Sequence, residues 1–506
     1  RKVKMKHYFL LSLILIITLN NCSKVEIIDL PITTSSPEAL VLYKKAHKIN
    51  SLNFGEGKEI REILDSALSF DPNFAMALEM YPTNDPLLSK EYQQKAKDLS
   101  TKITEAERKI LKIRDSYRNS DMDAALESAK WLTENHSNSY ESYIYLGQVQ
   151  SDRREHNEAI ETLKEAIKLN PDSYNAYFLL MGHHIGLGNQ SMLPENERNV
   201  SLGIKYGDEL IRIRPEEGLS YHFKANCYRQ LGEFEKAKPL YDKSIEKRKG
   251  RTSEGSSLNV SAHNYMFSGD LKTARDNYNN AIELATDDWS WFIRNFYLTV
   301  SYIFDNDYIG AIDNINKVES SVKDREVNEL TLLQMRSWLY YQKLICYAHN
   351  QMEEEAYDVL NKRIVLRKKY SQKMNDKNTT RTVESEKHEE TAWVNILFGK
   401  YEIAKENLLE LKKIQERINN PTAMYGYFGL SGMTNLMEGN IKTAISEFEK
   451  GNTTNIYYNY FKGLALKADG REDEAKNVFL QISKVNFSDW DIAIVRNLAK
   501  RQLGKA

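Results

Sequence analysis

The chain has 506 residues, enough for several globular domains or one long array of repeats. Its 23 Gly and 10 Pro are few for that length. Roughly 7% and 5% are usual, so a large all-β fold and the Pro/Gly-rich disordered and collagen-like classes are excluded. Lys and Arg number 70 against 71 Asp and Glu, a balance that gives no electrostatic footprint for nucleic acid.

Taken in chain order, residues 1–21 read as an export signal. A basic stretch through His7 precedes an apolar run from Tyr8 to Leu19, well short of the roughly 20 residues that span a bilayer as a helix. The run ends Leu19-Asn20-Asn21-Cys22, which resembles a bacterial lipoprotein signal: a Leu three residues before the Cys. The resemblance implies that Cys22 is the first mature residue and carries lipid, which places the protein in the bacterial cell envelope, at the periplasmic or surface face of the outer membrane. Residues 22–38 are then the lipidated Cys and a tether.

The body repeats. From Tyr140 to Pro171 the residues Tyr143, Leu146, Gly147, Ala159, Leu163, Ala166 and Pro171 fall at set intervals, a pattern similar to the tetratricopeptide repeat, a helix–turn–helix of about 34 residues. Gly147 and Ala159 are small where the two helices of a repeat approach, and Pro171 ends the second helix. The same Ala position recurs as Ala125, Ala237, Ala274, Ala311, Ala356, Ala404, Ala444 and Ala475, with Gly203 in its place in the repeat closed by Pro215. Upstream, Leu64, Ala67 and Pro72 fit a second helix, and residues 85–105 a degenerate repeat. Gly232, Gly269, Gly399, Gly439 and Gly470 each precede a second helix, where a turn needs backbone freedom. Pro239 falls inside a predicted helix, near its start.

The resemblance implies an all-α, right-handed superhelical solenoid of about eleven or twelve hairpins over residues 40–480. Its expected divisions are degenerate repeats at 39–135, a central array at 136–360, a charged extended helix and polar loop at 361–390 acting as a hinge, and C-terminal repeats with a capping helix at 391–506. Cys227 and Cys346 hold equivalent first-helix positions three repeats apart. At roughly 10 Å per helix layer they are too far apart for a disulfide, so both are expected to be buried as small apolar residues.

Chemistry-bearing motifs are incomplete. His183 and His184 are adjacent on a helix and point about 100° apart, so they do not ligate one ion together; one is expected packed and the other exposed. His388-Glu389-Glu390 lacks the second His of a zinc-protease motif, having Ala392 in its place. Gly429-Leu430-Ser431-Gly432-Met433 lacks the final Gly of a nucleophile elbow and sits on a predicted first helix. No catalytic residue, cofactor or metal ligand is assigned.

In the family, first-helix residues line a concave groove. By register the groove here carries Arg114, Tyr117, Arg118, Phe178, His222, Asn226, Arg229, His263, Phe267, Phe296, Phe304, Trp338 and Tyr341, and later Trp393, Tyr457 and Tyr460. Aromatic side chains in such a groove suit a peptide, a helix or a sugar ring. The expected function is a non-enzymatic, membrane-anchored scaffold or assembly adaptor with a protein or peptide in the groove. The rivals are a surface glycan-binding lipoprotein partnered with an outer-membrane importer, and a sensor arm of a signalling system.

Overall fold

The computed structural model describes residues 29–50, 57–185, 193 and 197–504; Cys22 and the export signal lie outside them. Among the described residues are twenty-five α-helices and no strand. They pair into successive antiparallel hairpins. The first two are α1 (Pro37–Asn50) with α2 (Gly57–Phe70), and α3 (Ala75–Met80) with α4 (Pro86–Asp98). Next come α5 (Glu105–Asn119) with α6 (Met122–Asn135), α7 (Tyr140–Asp152) with α8 (His156–Leu169), and α9 (Tyr174–Ile185) with α10 (Val200–Ile213). The middle of the array is α11 (Gly218–Gln230) with α12 (Phe234–Arg248), α13 (Glu254–Ser268) with α14 (Leu271–Glu283), and α15 (Asp288–Phe304) with α16 (Tyr308–Val322). The last hairpins are α17 (Glu329–His349) with α18 (Glu353–Met374), α19 (Lys377–Leu397) with α20 (Tyr401–Gln415), α21 (Tyr425–Met437) with α22 (Ile441–Lys450), and α23 (Ile456–Ala468) with α24 (Glu472–Lys484). A final helix, α25 (Trp490–Gln502), closes the chain. The array is an all-α solenoid of tandem hairpins, as the repeat predicts.

The Ala register is a packing rule. Ala125, Ala159, Ala237, Ala274, Ala311, Ala356, Ala404 and Ala444 have no exposed surface, and Ala475 has 1%. Gly147, Gly432 and Gly463 oppose the second helix of their own hairpins. A Cβ on them would stand 2.7 Å from Leu163 Cγ, 2.7 Å from Phe448 Cδ1 and 2.6 Å from Phe479 Cε1. These first helices therefore approach their partners closely enough that only hydrogen fits. The partial nucleophile-elbow sequence is explained by this packing at Gly432.

The turn between the helices has one backbone rule. Five residues before each Ala of that register stands a residue with positive φ. Glycine fills the place at Gly232, Gly269, Gly399, Gly439 and Gly470, while Ser120, Arg154, Asn306 and Gln351 adopt it with φ between 57° and 67°. The left-handed residue lets the chain reverse and satisfies the last carbonyls of the first helix. In α15, for example, the Asp307 amide donates to the Tyr302 carbonyl. Pro239 is accommodated within α12. Cys227 and Cys346 are buried free thiols on α11 and α17.

The charged stretch 361–390 is extended helix, as expected, but it forms no polar loop. It is the paired ends of the two long helices α18 and α19, which turn at Asn375 and Asp376. Its charges face each other. Arg363 donates Nε and Nη2 to the two oxygens of Glu390 at 2.7 and 2.6 Å, and Arg367 donates to both oxygens of Glu386 at 2.7 and 2.9 Å. One apolar core runs unbroken past this point, from Ala262 to Ala499. The expected boundary at 361–390 is therefore absent from the packing.

The solenoid coils upon itself. Lys90 donates to the Met374 carbonyl (2.9 Å), Arg381 to the Asn119 carbonyl (2.8 Å), and Thr331 to the Asn84 carbonyl (3.3 Å). Further on, Arg154 reaches Thr454 Oγ1 and Arg229 reaches the Asn486 carbonyl. These partners are 247 to 300 residues apart, which is roughly seven repeats of the observed length. The array thus completes a turn in about seven hairpins, and the second turn rests on the first. A cleft along this seam is lined by Arg61, Asn84, Asp85, Asp287, Asp288 and Trp289. Its three aspartates are engaged, Asp85 and Asp287 as helix caps and Asp288 with Arg325.

Candidate functional site

The sequence-predicted groove residues fall into three groups. At the N-terminal end, Tyr117 donates to Asp152 Oδ2 at 2.6 Å, Arg118 pairs with Glu79 at 2.7 Å, and Arg114 is exposed. Phe178 is half-buried with its ring centroid 4.5 Å from that of Phe223. The described part of the expected tether is bound here rather than free. The Leu30 amide donates to Glu141 Oε2, Thr34 Oγ1 and the Ser35 amide donate to Asp71 Oδ2, and Thr33 donates through its amide and hydroxyl to Glu107. Glu107 is wholly buried and also accepts from the Thr104 amide and hydroxyl. Those four donors satisfy a carboxylate that would otherwise be costly to bury.

The second group is gathered tightly. His222, Asn226, Arg229, His263, Phe267 and Phe304 are all buried. Tyr241 is shared: its hydroxyl donates to Asn226 Oδ1 at 2.7 Å and accepts from Arg229 Nη1 at 2.9 Å. His263 Nδ1 lies 2.6 Å from the Tyr278 hydroxyl, and Phe267 meets Phe304 edge-on at 5.3 Å. Burial holds His222 and His263 well below the usual histidine range, helped by the Arg248 charge at His222 and by Arg229 at both, so both are neutral. Phe296 is half-buried beside Tyr297.

What covers this group is the chain's own C-terminal segment. Arg229 Nε donates to the Asn486 carbonyl at 3.0 Å, and Asn486 Nδ2 returns a bond to the Arg229 carbonyl at 2.9 Å. The Arg496 guanidinium lies over the Phe267 and Phe304 rings, 5.3 and 5.5 Å from their centroids. Asn497 donates to the Phe304 carbonyl at 2.7 Å. The expected capping helix therefore does more than cap the last repeat. Helix α25 packs on α24 and α23, and it also presses on α15 across the coil.

The third group surrounds Trp490. Its ring contacts Tyr457 at 5.5 Å and Tyr341 and Trp393 at 6.2 Å each. Trp393 Nε1 donates to the Tyr457 hydroxyl, and Tyr460 is buried against Phe479. Trp338 is 42% exposed and touches Tyr341 edge-on at 6.0 Å, which places an open aromatic surface next to the covered ones. Sequence reasoning missed Asn486, Trp490 and Arg496 as inner-face residues. The available signal was an arginine inside the apolar run Ile492–Leu498.

His183 and His184 are both buried, not one packed and one exposed. His183 Nε2 lies 3.0 Å from Ser151 Oγ and its ring meets His156, while His184 Nδ1 accepts from the Asn199 amide. Burial, helped by the neighbouring histidines at His183 and by Arg154 and Arg198 at His156, lowers His183 to about 3 and His156 to about 4. Among the described residues no group of three His, Cys, Asp or Glu side chains is placed to hold a metal ion. Among them also, no helix is long and apolar enough to cross a membrane.

The family model for the tetratricopeptide repeat matches residues 140–173 and 219–246. No curated protein matches the sequence. Among solved structures, the chain is similar to a tetratricopeptide repeat protein from Parabacteroides merdae, with 16% identity over 52% of this chain and 93% of that one and a TM-score of 0.35. It is also similar to a thermophilic TPR protein from Thermus thermophilus, with 18% identity over 37% and 96% and a TM-score of 0.31. A third is YrrB, a TPR protein with an unusual peptide-binding site, with 14% identity over 42% and 98% and a TM-score of 0.26. The matched repeats share their buried Ala and left-handed turn with hairpins from Ser120 to Ala475, and the chain contains tetratricopeptide repeats within an all-α array of hairpins.

Proposed function

We propose that the chain is a non-enzymatic scaffold that holds a protein or peptide against the inner face of its solenoid, tethered in the bacterial envelope by lipid on Cys22. The observation that carries the reading is that the inner face already accommodates a polypeptide. Residues 485–502 lie against it through backbone carbonyl acceptors, an arginine over aromatic rings and a seated indole, the contacts a peptide ligand uses. The exposed Trp338, which touches Tyr341 beside the seated Trp490, extends that surface to solvent. The repeat architecture supports a binding role over a catalytic one, since its recurring spacing is spent on helix packing.

The test is capture from detergent-solubilised membranes with the lipidated protein, run beside an oligosaccharide array. A specific protein partner, lost when Trp338 and Tyr341 are replaced by Ala, is the expected result. Saturable oligosaccharide binding without any protein partner would overturn the reading. The anchor is tested separately: Cys22→Ala releases the protein from membranes, and retention would refute lipidation.

A further inference from the structure

The C-terminal segment joins the continuous apolar core through Ile492, Ile494, Val495 and Ala499, and adds to it a set of polar contacts with the groove. Between α24 and α25 the chain is extended, and Asn486 makes the reciprocal pair with Arg229 described above. Its side-chain oxygen also accepts from Arg496 Nη2 at 2.9 Å, while Arg496 Nε donates to the Val485 carbonyl. Arg496 is thus buried on neutral oxygens and aromatic rings, without a carboxylate. Asp489 caps α25 through the Trp490 amide, and the buried Asp491 accepts from the Ile492 amide; neither faces a cation among the described ion pairs. Burial lowers Arg496 to about 10 and, with Asp489 alongside, raises Asp491 to about 7. Charged groups buried without an ionic partner give back part of what the contact gains. The segment is therefore specific in its hydrogen bonds but held less firmly than an all-apolar helix would be.

Resting on the scaffold reading above, we propose that residues 485–502 are a self-ligand that occupies a groove wall formed by α11, α13 and α15 together with the aromatic residues of α17, α19 and α23, and that this wall recognises a partner segment of the same chemistry: an extended Asn-x-Ser-Asp stretch leading into a helix that opens with Trp and carries Arg on its groove-facing side. Arg229 reads the extended backbone, the Phe267–Phe304 pair takes the arginine, and the Tyr341–Trp393–Tyr457 cluster takes the indole. A partner with these features displaces the segment rather than adding to it.

The experiment uses the full chain and a fluorescein-labelled peptide of residues 484–504 as probe, read by anisotropy. Asn486→Ala with Arg496→Ala loosens the segment without touching the wall. The loosened protein is expected to bind the peptide at least tenfold more tightly than wild type, and adding Arg229→Ala removes that gain. Equal binding by wild type and the loosened protein, or binding by neither, overturns the proposal. A second measurement needs no variant. In wild type, amides of 485–502 should exchange with deuterium faster than those of α13 and α15 beneath them; exchange at one common rate would mean that the segment opens only with the groove itself, and overturns the proposal. The two readings separate in the membrane capture. A partner taken equally by wild type and loosened protein overturns the self-ligand and leaves the scaffold. Peptide bound as expected, with no membrane partner, leaves the self-ligand and removes the scaffold.

Discussion

Replacing Gly470 with Ala isolates the backbone rule of the repeat. Gly470 has φ +80°, and nothing lies within 4 Å of the position an added Cβ would take. The substitution therefore creates no clash with a neighbour, only a left-handed conformation for a residue with a side chain. That conformation costs roughly 1–2 kcal/mol, and the lost freedom of the unfolded chain returns about 0.4–1 kcal/mol. The net is about 1 kcal/mol against the hairpin α23–α24. The reverse change tests the same arithmetic with opposite sign. Gln351 holds φ 58° at the equivalent place, with one side-chain bond to the Ala348 carbonyl at 3.3 Å. Gln351→Gly should stabilise α17–α18 by about 0.5–1 kcal/mol, being relief of strain less the entropy and the weak bond. Global melting is a poor readout, because repeats exchange stability mainly with neighbours and long arrays lose two-state behaviour. Hydrogen exchange read peptide by peptide is the suitable assay. A change of about 1 kcal/mol appears as a roughly fivefold change in local opening. Gly470→Ala should speed exchange across α23 and α24 by that factor and leave α7 and α8 unchanged, and Gln351→Gly should slow exchange in α17 and α18. If both variants shift in the same direction, or neither shifts, the left-handed turn is not what orders these hairpins.

Three further outcomes follow from the packing and the charges. Gly463→Ala forces a Cβ to 2.6 Å from Phe479 Cε1 and should destabilise the last hairpin by roughly 1–3 kcal/mol; unchanged exchange in α23 and α24 would show that the ring moves aside freely. Arg363→Met leaves Glu390 buried without its bidentate partner and should cost about 3–5 kcal/mol, whereas Arg363→Met with Glu390→Met should regain most of it. Equal loss of hydrogen-exchange protection across α18 and α19 in the single and double variants would contradict a buried ion pair. Asp491 titrates near 7 because burial and Asp489 oppose its charge. Its folded-state value lies above the unfolded value of about 3.9, so its contribution is fully present below about pH 4 and is lost as pH rises through about 7. Buried His183 and half-buried His156 run the other way, so the test is the difference between wild type and Asp491→Asn. Wild type should lose stability relative to the variant between about pH 4 and pH 7, and a constant difference would refute the assignment.

Most of the fold was legible because the repeat is a local rule. Gly147 meets Leu163 and Ala159 within a single hairpin, so the spacing along the chain reports the contact directly. Four of the left-handed turns were not read from composition, because Ser120, Arg154, Asn306 and Gln351 occupy a place that glycine fills elsewhere. Their fixed offset from the buried Ala was the signal. The charged run 361–390 looked solvated because its partners are up to 27 residues apart across two helices, Arg363 with Glu390 and Arg367 with Glu386. The coil contacts were out of reach for a deeper reason. They join residues such as Asn84 and Thr331, 247 apart, and depend on a small rotation summed over about seven repeats, which spacing in sequence does not encode. For the same reason the register, which assigned residues to a groove, did not reach the contacts that Asn486, Trp490 and Arg496 make with them.

The central claim, that a partner polypeptide engages the inner face, is tested most directly by site-specific photo-crosslinking in membranes that contain the lipidated protein. A photoreactive residue at Trp338, exposed beside the groove, should capture one dominant protein, while the same residue at Leu409, which is 55% exposed and outside the predicted groove set, should capture none. Equal capture at both positions, or capture at Leu409 alone, would contradict the account.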